Sequence, residues 1–363
     1  MIRRPAPRPP TLRDVAELAG VHVGTASRAL NPAQSGLVNP ATRARVVECA
    51  ARLGYRPNAV AQSLRNGTTS TVGVVVADLA NPYFVQLIRG IEAEARPHGV
   101  MPLVVETHDD SETLERVVTR LIANRIDSLI VSAAHMTDEP FIAAIEAQVP
   151  TILAVRTFLD TGPGKGVTDR RREVLQDDAQ GARIAAEHLI GLGHRRIAQL
   201  RGDPTISSFV GRSRGYLEAI AAAPGVCDVS TDDIAGTSTI AEGRRIARRL
   251  LVEGPARDRP TAIFAHNDLM ALGAIDAVDE LGLSCPEDVS VVGYNDAPLI
   301  DHAAPPLSTV RLPSWEIGRH SARLALSGDD AESSVPVRIM LTPEFVVRSS
   351  TTAPPARLRD AGA

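Results

Sequence analysis

Residues 11–66 read TLRDVAELAGVHVGTASRALNPAQSGLVNPATRARVVECAARLGYRPNAVAQSLRN, and the punctuation of this stretch predicts short helices in quick succession. Thr11 with Asp14 makes a capping box that opens a helix with apolar positions Leu12, Val15, Ala16 and Leu18. Ala19-Gly20-Val21 breaks it, a second helix follows over roughly 22–30, and Asn31-Pro32 ends that one. Asn39-Pro40 starts a third, with an N-cap and a proline at the first helical position, along the stripe Val46, Val47, Ala50 and Leu53 to a stop at Gly54. Pro57-Asn58 then introduces a segment over 58–66 that is too short to be stable as an isolated helix in water. Residues 67–70 (GTTS) read as a linker.

Two short helices joined by a glycine-containing turn and followed by a third outline a helix-turn-helix, so residues 11–57 are read as an all-α DNA-binding domain. In that geometry the second helix enters the major groove with its N-terminal residues at base edges. Val23, Gly24, Thr25, Ser27, Arg28 and Asn31 then lie on or near the exposed face, while Val21, Ala26 and Leu30 point inward. Thr, Ser and Asn suit phosphate or base contacts, and Arg28 reaches a guanine or a phosphate. A small helical bundle with a solvated polar face would carry the same pattern, and charge separates the two. Residues 1–70 hold ten arginines against Asp14, Glu17 and Glu48, a net +7, which leaves −11 on the rest of a chain whose total is −4. A small basic head on a large acidic body implies that only the head meets a polyanion.

The 363 residues suffice for two or three domains, and 44% hydrophobic with 23% charged residues is a globular composition. No run approaches the ~20 apolar residues of a membrane span. Residues 1–10, MIRRPAPRPP, lack the apolar stretch of a secretory signal and read as a disordered basic arm. Cys49, Cys227 and Cys285 lie too far apart for a disulfide framework or a zinc pattern, which fits a reducing cytosol.

Beyond residue 71 the texture becomes strand then helix, repeatedly. Strands are expected over 72–77, 101–106, 128–132, 151–155, 197–200, 261–265 and 289–293, with helices over 84–94, 111–124, 141–148, 178–191, 213–222, 240–253, 269–281 and 315–327. The alternation predicts a two-lobed α/β body of parallel sheets flanked by helices, one lobe built from 71–170 plus about 307–329, the other from 171–306 plus about 330–350. Residues 160–172 read as a loop and 351–363 as a disordered tail. Ligands of open α/β folds bind beyond the carboxyl ends of strands. Asp78 follows the first strand, Asn81-Pro82-Tyr83-Phe84 opens the next helix, Asn267-Asp268 and Asn295-Asp296 follow two later strands, and Arg212 lies beyond 197–200 after an irregular loop. One Arg with an Asp and two Asn offers donors and acceptors for hydroxyls, and Tyr83 and Phe84 offer a face for a sugar ring or a base. Asp268 reads more readily as a helix cap than as a ligand contact, and Asp78 and Asn81 serve equally as turn residues before Pro82. His194 falls at a helix end, where a cation favours the dipole. Neither G-x-S-x-G nor H-E-x-x-H occurs, and GPGKG over 162–166 lacks the spacing of a phosphate loop, so no catalytic residue, metal site or cofactor is expected.

TLRDVAELAGVHVGTASRALN (11–31) and ATRARVVECAARLGYRPNAVAQSLR (41–65) resemble the headpiece of the lactose/galactose repressor family of bacterial transcription regulators. The resemblance runs to about Thr351, with a body similar to periplasmic sugar-binding proteins. It implies that Thr11 joins the DNA-contacting residues and that 58–66 is a hinge helix which folds when two copies meet on the minor groove. There Leu64 occupies the position of an apolar wedge, Ala61 lets the paired helices approach, and Asn58 and Gln62 complete the DNA-facing set; a plain linker is the alternative. It also implies that Asp78, Phe84, Arg212, Asn267 and Asn295 line an effector pocket, to which the ring of Tyr83, beside Phe84, is added on its chemistry. Four positions depart from the family pattern: His22 where Ser is usual, Gly24 where a base-reading side chain is usual, and Asn295 and Val155 where Asp is frequent. The expectation is a homodimeric repressor of a near-palindromic operator, controlled allosterically by a sugar or related metabolite, with no C-terminal heptads for a tetramer. A solute-binding protein without a DNA-regulatory role and an enzyme on the same body are the rivals.

Overall fold

The computed structural model describes residues 8, 10–31, 34–56, 68–159, 171–253, 259–327 and 336–355. The chain divides between Thr69 and Ser70 into two compact units. The first holds α1 (Leu12–Ala19), α2 (Val23–Leu30) and α3 (Pro40–Leu53). Its caps are those the sequence predicts: Thr11 donates its N–H to Asp14 Oδ2 at 2.6 Å, Asp14 returns its own to Thr11 Oγ1 at 3.4 Å, and Asn39 Oδ1 accepts from Ala41 N–H at 2.9 Å. Gly20, at φ +62°, takes the left-handed conformation that turns α1 towards α2. The core is Val15, Ala16, Ala19, Ala26, Ala29, Val46 and Ala50. Mostly alanine, it brings three short helices into close approach.

In the second unit, β1 (Thr71–Val76), α4 (Tyr83–Ala95), β2 (Met101–Glu106), α5 (Ser111–Ala123), β3 (Ser128–Val131), α6 (Glu139–Glu146), β4 (Thr151–Ala154) and β5 (Arg172–Gln176) lead into α7 (Asp178–Gly191). Then come β6 (Arg196–Leu200), α8 (Ser207–Ala222), β7 (Cys227–Asp228), α9 (Ile240–Val252), β8 (Ala262–Ala265), α10 (Asp268–Glu280) and β9 (Ser290–Asn295). β10 (Ser308–Arg311), α11 (Ser314–Leu326), β11 (Val337–Leu341) and β12 (Glu344–Val346) close the chain. One six-stranded sheet has the order β11-β5-β4-β3-β1-β2 and the other β12-β10-β9-β8-β6-β7. All pairings are parallel except β10 with β12. The all-apolar runs Val74–Val76 and Ile263–Ala265 are buried on both faces, as parallel strands covered by helices require.

The two lobes are as predicted, but their boundaries are not. β5 and β11 belong to the first sheet rather than the second, and β10 to the second rather than the first, so the chain crosses between lobes at Asp177, near Leu312–Pro313 and between β11 and β12. Asp177 donates its N–H to Leu341 O at 3.0 Å, tying two crossings together. The expected loop is also too long at its carboxyl end: Arg172 already stands in β5, while 160–170 lie outside the described residues. Residues 351–355 are not a disordered tail. Ser290 donates to Thr352 O at 3.1 Å and accepts its N–H at 3.0 Å, and Pro354 is buried. His194 is no cation at a helix end; it is buried, contacts Thr261 Oγ1 and Thr352 O at 2.9 Å each, and burial pushes its imidazole down to about 4. The basic arm up to residue 7, the 58–66 segment with Asn58, Ala61, Gln62 and Leu64, and the last eight residues lie outside the described residues.

Candidate functional site

The first unit offers a basic, polar face. His22 caps α2, its Nδ1 accepting the Gly24 N–H at 3.1 Å. Val23 is half-buried and packs against the small core, as Val21 and Leu30 do. Gly24, Thr25, Ser27 and Asn31 are half-buried and Arg28 is exposed, its Nε donating to Gly24 O at 3.2 Å. Thr11 spends its hydroxyl on the α1 cap, donating to Asp14 Oδ2 at 2.8 Å. Arg13, Arg28, Arg43, Arg45, Arg52 and Arg56 are all exposed, so these six cations of the basic head are available to a polyanion.

At the carboxyl ends of both sheets the second unit opens a cleft of about 210 Å³. Asp78, Tyr83 and Phe84 of the first lobe and Arg212, Asn267 and Asn295 of the second all line it, so the six residues singled out in the sequence converge. Asp78 and Asn81 are turn residues and wall residues at once: Asp78 Oδ1 accepts Ala80 N–H at 2.8 Å and Asn81 Oδ1 accepts Tyr83 N–H at 3.1 Å. Tyr83 and Phe84 meet edge to face at 5.2 Å. The Tyr83 hydroxyl is buried without a hydrogen-bond partner among the described residues, and burial pushes its phenol up. Asn295 closes β9 at φ +124°, a costly conformation for a residue with a side chain.

The cap of α10 is Asn267, not Asp268. Asn267 Oδ1 accepts Met270 N–H at 2.7 Å while its Nδ2 donates to Ser238 O at 3.0 Å, drawing 237–239 into the wall. Asp268 instead clamps the loop beneath Asn295, accepting from Ala297 N–H at 2.8 Å and from the Thr309 hydroxyl at 2.6 Å, and burial pushes its carboxyl up to about 7.

Arg212 is the most constrained of the six. It is 4% exposed, its Nε donates to Asp178 Oδ1 at 2.9 Å, its Nη1 donates to His266 O, and its guanidinium lies 4.0 Å over the Tyr294 ring. Burial pushes the Asp178 carboxyl up, against the pull of Arg212. Gln176 Nε2 donates to Asp178 Oδ2 at 2.8 Å and to Val155 O at 3.1 Å, so the ion pair is continued to the opposite wall. Arg214, at 65% side-chain exposure, is surface.

Sequence reasoning missed His108, Asp109, Arg156, Ser208 and Phe209, all of which line the cleft. The Arg156 guanidinium lies 2.7 Å from Asp109 Oδ1, and its Nη1 donates to Ala133 O at 3.1 Å. Burial pushes the Asp109 carboxyl up, but Arg156 and His135 outweigh it and hold it at about 2. On this side the lobes are bonded to each other: Met136 N–H donates to Thr205 O at 2.8 Å and Thr157 N–H to Ser207 Oγ at 2.9 Å. Asp109 sits beyond β2, so the rule that located Asp78 applied to it as well. Ser208 and Phe209 were hidden because α8 starts at Ser207, six residues before its expected start at 213. Among the described residues no three metal-ligating side chains are grouped, and no helix is long and apolar enough to cross a membrane.

Residues 11–58 match the pattern of bacterial regulatory proteins of the lacI family, and residues 186–351 that of a periplasmic binding protein-like domain. The HTH-type transcriptional regulator GalS of Salmonella typhimurium is 33% identical over 94% of this chain and 96% of its own length. The HTH-type transcriptional regulator CelR of Thermobifida fusca is 34% identical over 94% and 98%. Among solved structures, a Lac repressor dimer bound to operator and the anti-inducer ONPF superposes with a TM-score of 0.81 at 29% identity, covering 95% of this chain and all of that one. A CelR–cellobiose complex superposes at 0.69 with 33% identity, over 94% of this chain and 99% of that one.

Proposed function

The chain belongs to the lacI family of bacterial regulatory proteins and is a DNA-binding transcription regulator, and from that premise we propose that it is an effector-controlled homodimeric repressor. Two headpieces set α2 in successive major grooves of a near-palindromic operator, with Thr25, Ser27, Arg28 and Asn31 towards the DNA. The 58–66 segments pair between them on the minor groove, and Leu64 wedges a central base step. A sugar or related metabolite enters the cleft, changes the angle between lobes and separates the paired segments, so its preference for one lobe arrangement appears as lost operator affinity.

The observation that carries this reading is the cleft itself: six polar and aromatic residues drawn from both lobes, gathered around the buried Arg212–Asp178 pair, in a chain with a +7 headpiece. Pairing is favoured by exposed Leu79, Val85 and Leu299, apolar side chains that a second copy would cover. Binding an operator places the protein on the nucleoid, in the bacterial cytoplasm. The test is selection of sheared genomic DNA by the full chain at about 0.1 M salt, where nonspecific binding is partly suppressed, beside a control beginning at Ser70. Enrichment of a few near-palindromic sites, lost in the control, is expected. Failure to enrich any site, with and without added cell metabolites, would overturn the repressor reading.

A further inference from the structure

We propose that Asp109 sets the charge specificity of the cleft: with Arg156 it admits an uncharged polyhydroxyl effector and excludes the corresponding acids and phosphate esters. This rests on the cleft being the effector site. His108 and Asp109 stand consecutively at φ +57° and +55°, a conformation that side-chain-bearing residues avoid unless the surroundings impose it. The imposition is visible on both sides. Arg156 holds the Asp109 carboxylate at 2.7 Å, and the next residue, Asp110, is fixed as the N-cap of α5 through Thr113 N–H at 2.7 Å. Asp109 Oδ1 is buried, yet the side chain keeps 23% exposure, which leaves Oδ2 and the methylene as the parts turned to the cleft.

The charges of the cleft then decide what it accepts. Both of its arginines already face a carboxylate, Arg212 with Asp178 and Arg156 with Asp109. Arg212 spends Nε and Nη1 on Asp178 and the His266 carbonyl, and Arg156 spends Nη1 on the Ala133 carbonyl, so neither presents the open fork with which an arginine grips a phosphate or carboxylate. Asp78 has no cation within 4.0 Å among the described residues. Among the described residues, the lining carboxylates Asp78 and Asp109 with Asp178 behind Arg212 outnumber the guanidiniums of Arg156 and Arg212 and repel an anion, whereas hydroxyls find acceptors at Asp78 and Asp109 and an orphaned hydroxyl at Tyr83.

The test is calorimetric titration of the full chain with glucose, galactose, ribose and cellobiose, each sugar monomer beside its acid or ester: glucose 6-phosphate, galacturonate and ribose 5-phosphate. At least one neutral sugar is expected to bind, and any that has a charged counterpart to bind at least about tenfold tighter than it. Asp109→Asn and Asp109→Gly suit the left-handed backbone, so both should fold. Each leaves Arg156 without its carboxylate. The ratio of neutral to anionic affinity should fall by about tenfold or more, with the ester gaining in absolute affinity. A purely structural Asp109 would weaken both ligands alike and leave the ratio unmoved, which would overturn the proposal. An ester binding the unsubstituted chain as tightly as its sugar would also overturn it, and so would silence across all the neutral sugars. In that last case operator selection still judges the repressor reading independently.

Discussion

Removing the Arg212 guanidinium should destabilise the body in a pH-dependent way. Arg212→Ala leaves Asp178 buried, at 7% side-chain exposure, with the cation 2.9 Å away deleted and only the neutral donors of Gln176 and Tyr294 beside it. Stranding one partner of a buried pair costs about 3–5 kcal/mol. The cost has a ceiling, because Asp178 can take up a proton. Burial already raises its carboxyl and Arg212 is the largest opposing influence, so the substitution raises it further. A carboxyl whose folded value is raised contributes stability below its unfolded value of about 4 and loses it as pH rises through the folded one. The penalty should therefore be larger at pH 8 than at pH 5, growing by at most about 1.4 kcal/mol per pH unit. Trp315 is the sole tryptophan and lies in α11 of the body, so urea unfolding followed by its fluorescence reads the body without the headpiece. Chain concentration must be held fixed, since the proposed dimerisation would add its own stability. Asp178→Asn combined with Arg212→Met should recover most of the loss. A loss under about 1 kcal/mol, or one equal at both pH values, would refute the buried-pair account.

Leu64→Ala should weaken specific operator binding far more than nonspecific binding, because only the kinked complex uses the wedge; equal losses in a filter-binding comparison would count against it. Asp268, pushed up to about 7, makes the body lose stability as pH rises from about 4 to about 7, while His194, pushed down to about 4, acts in the opposite sense between pH 4 and its usual 6.5, so the two oppose each other below 6.5 and the Asp268 loss stands alone just above it, levelling off past 7. Asp268→Asn should flatten the upper slope of the urea midpoint against pH, and an unchanged slope would exonerate it. Gly90→Ala should cost about 3 kcal/mol or more, since its Cβ would collide with the Trp315 carbonyl where α4 crosses α11; a thermal midpoint within a degree of the parent would mean the helices can part cheaply.

The headpiece was legible almost residue by residue because its signals are local: Thr11 with Asp14, Asn39-Pro40, Gly20 and Gly54 each act within one helical turn. In the body, apolar strands announced themselves, whereas β5 did not. Its Arg172, Glu173 and Gln176 are buried only because Leu324 O, Arg338 and Val155 O, distant in sequence, satisfy them. The same holds for Thr351 and Thr352, which look like tail until Ser308, Ser290 and His194 are placed beside them. The cleft lay between these extremes. Strand ends are readable, so Asp78, Asn267 and Asn295 were found; Asp109 and Arg156 also follow strands, β2 and β4, but their pairing across a left-handed turn is encoded by no short motif.

The threefold crossing between lobes also dictates an order of events on the ribosome. The first sheet has five of its six strands once Gln176 has emerged, but its remaining edge strand β11 ends at Leu341 and its covering helix α11 at Leu326. At roughly 5–20 residues per second, those last pieces arrive on the order of 10–30 s later. Through that interval β5 offers an unpaired edge and α4 an uncovered apolar face at Leu87 and Ile91. The lobe that begins first cannot close until nearly the whole chain has emerged. Slow codons between the two lobes, which help many tandem-domain proteins by letting one domain settle, should in this chain only prolong exposure of a sheet that cannot yet close.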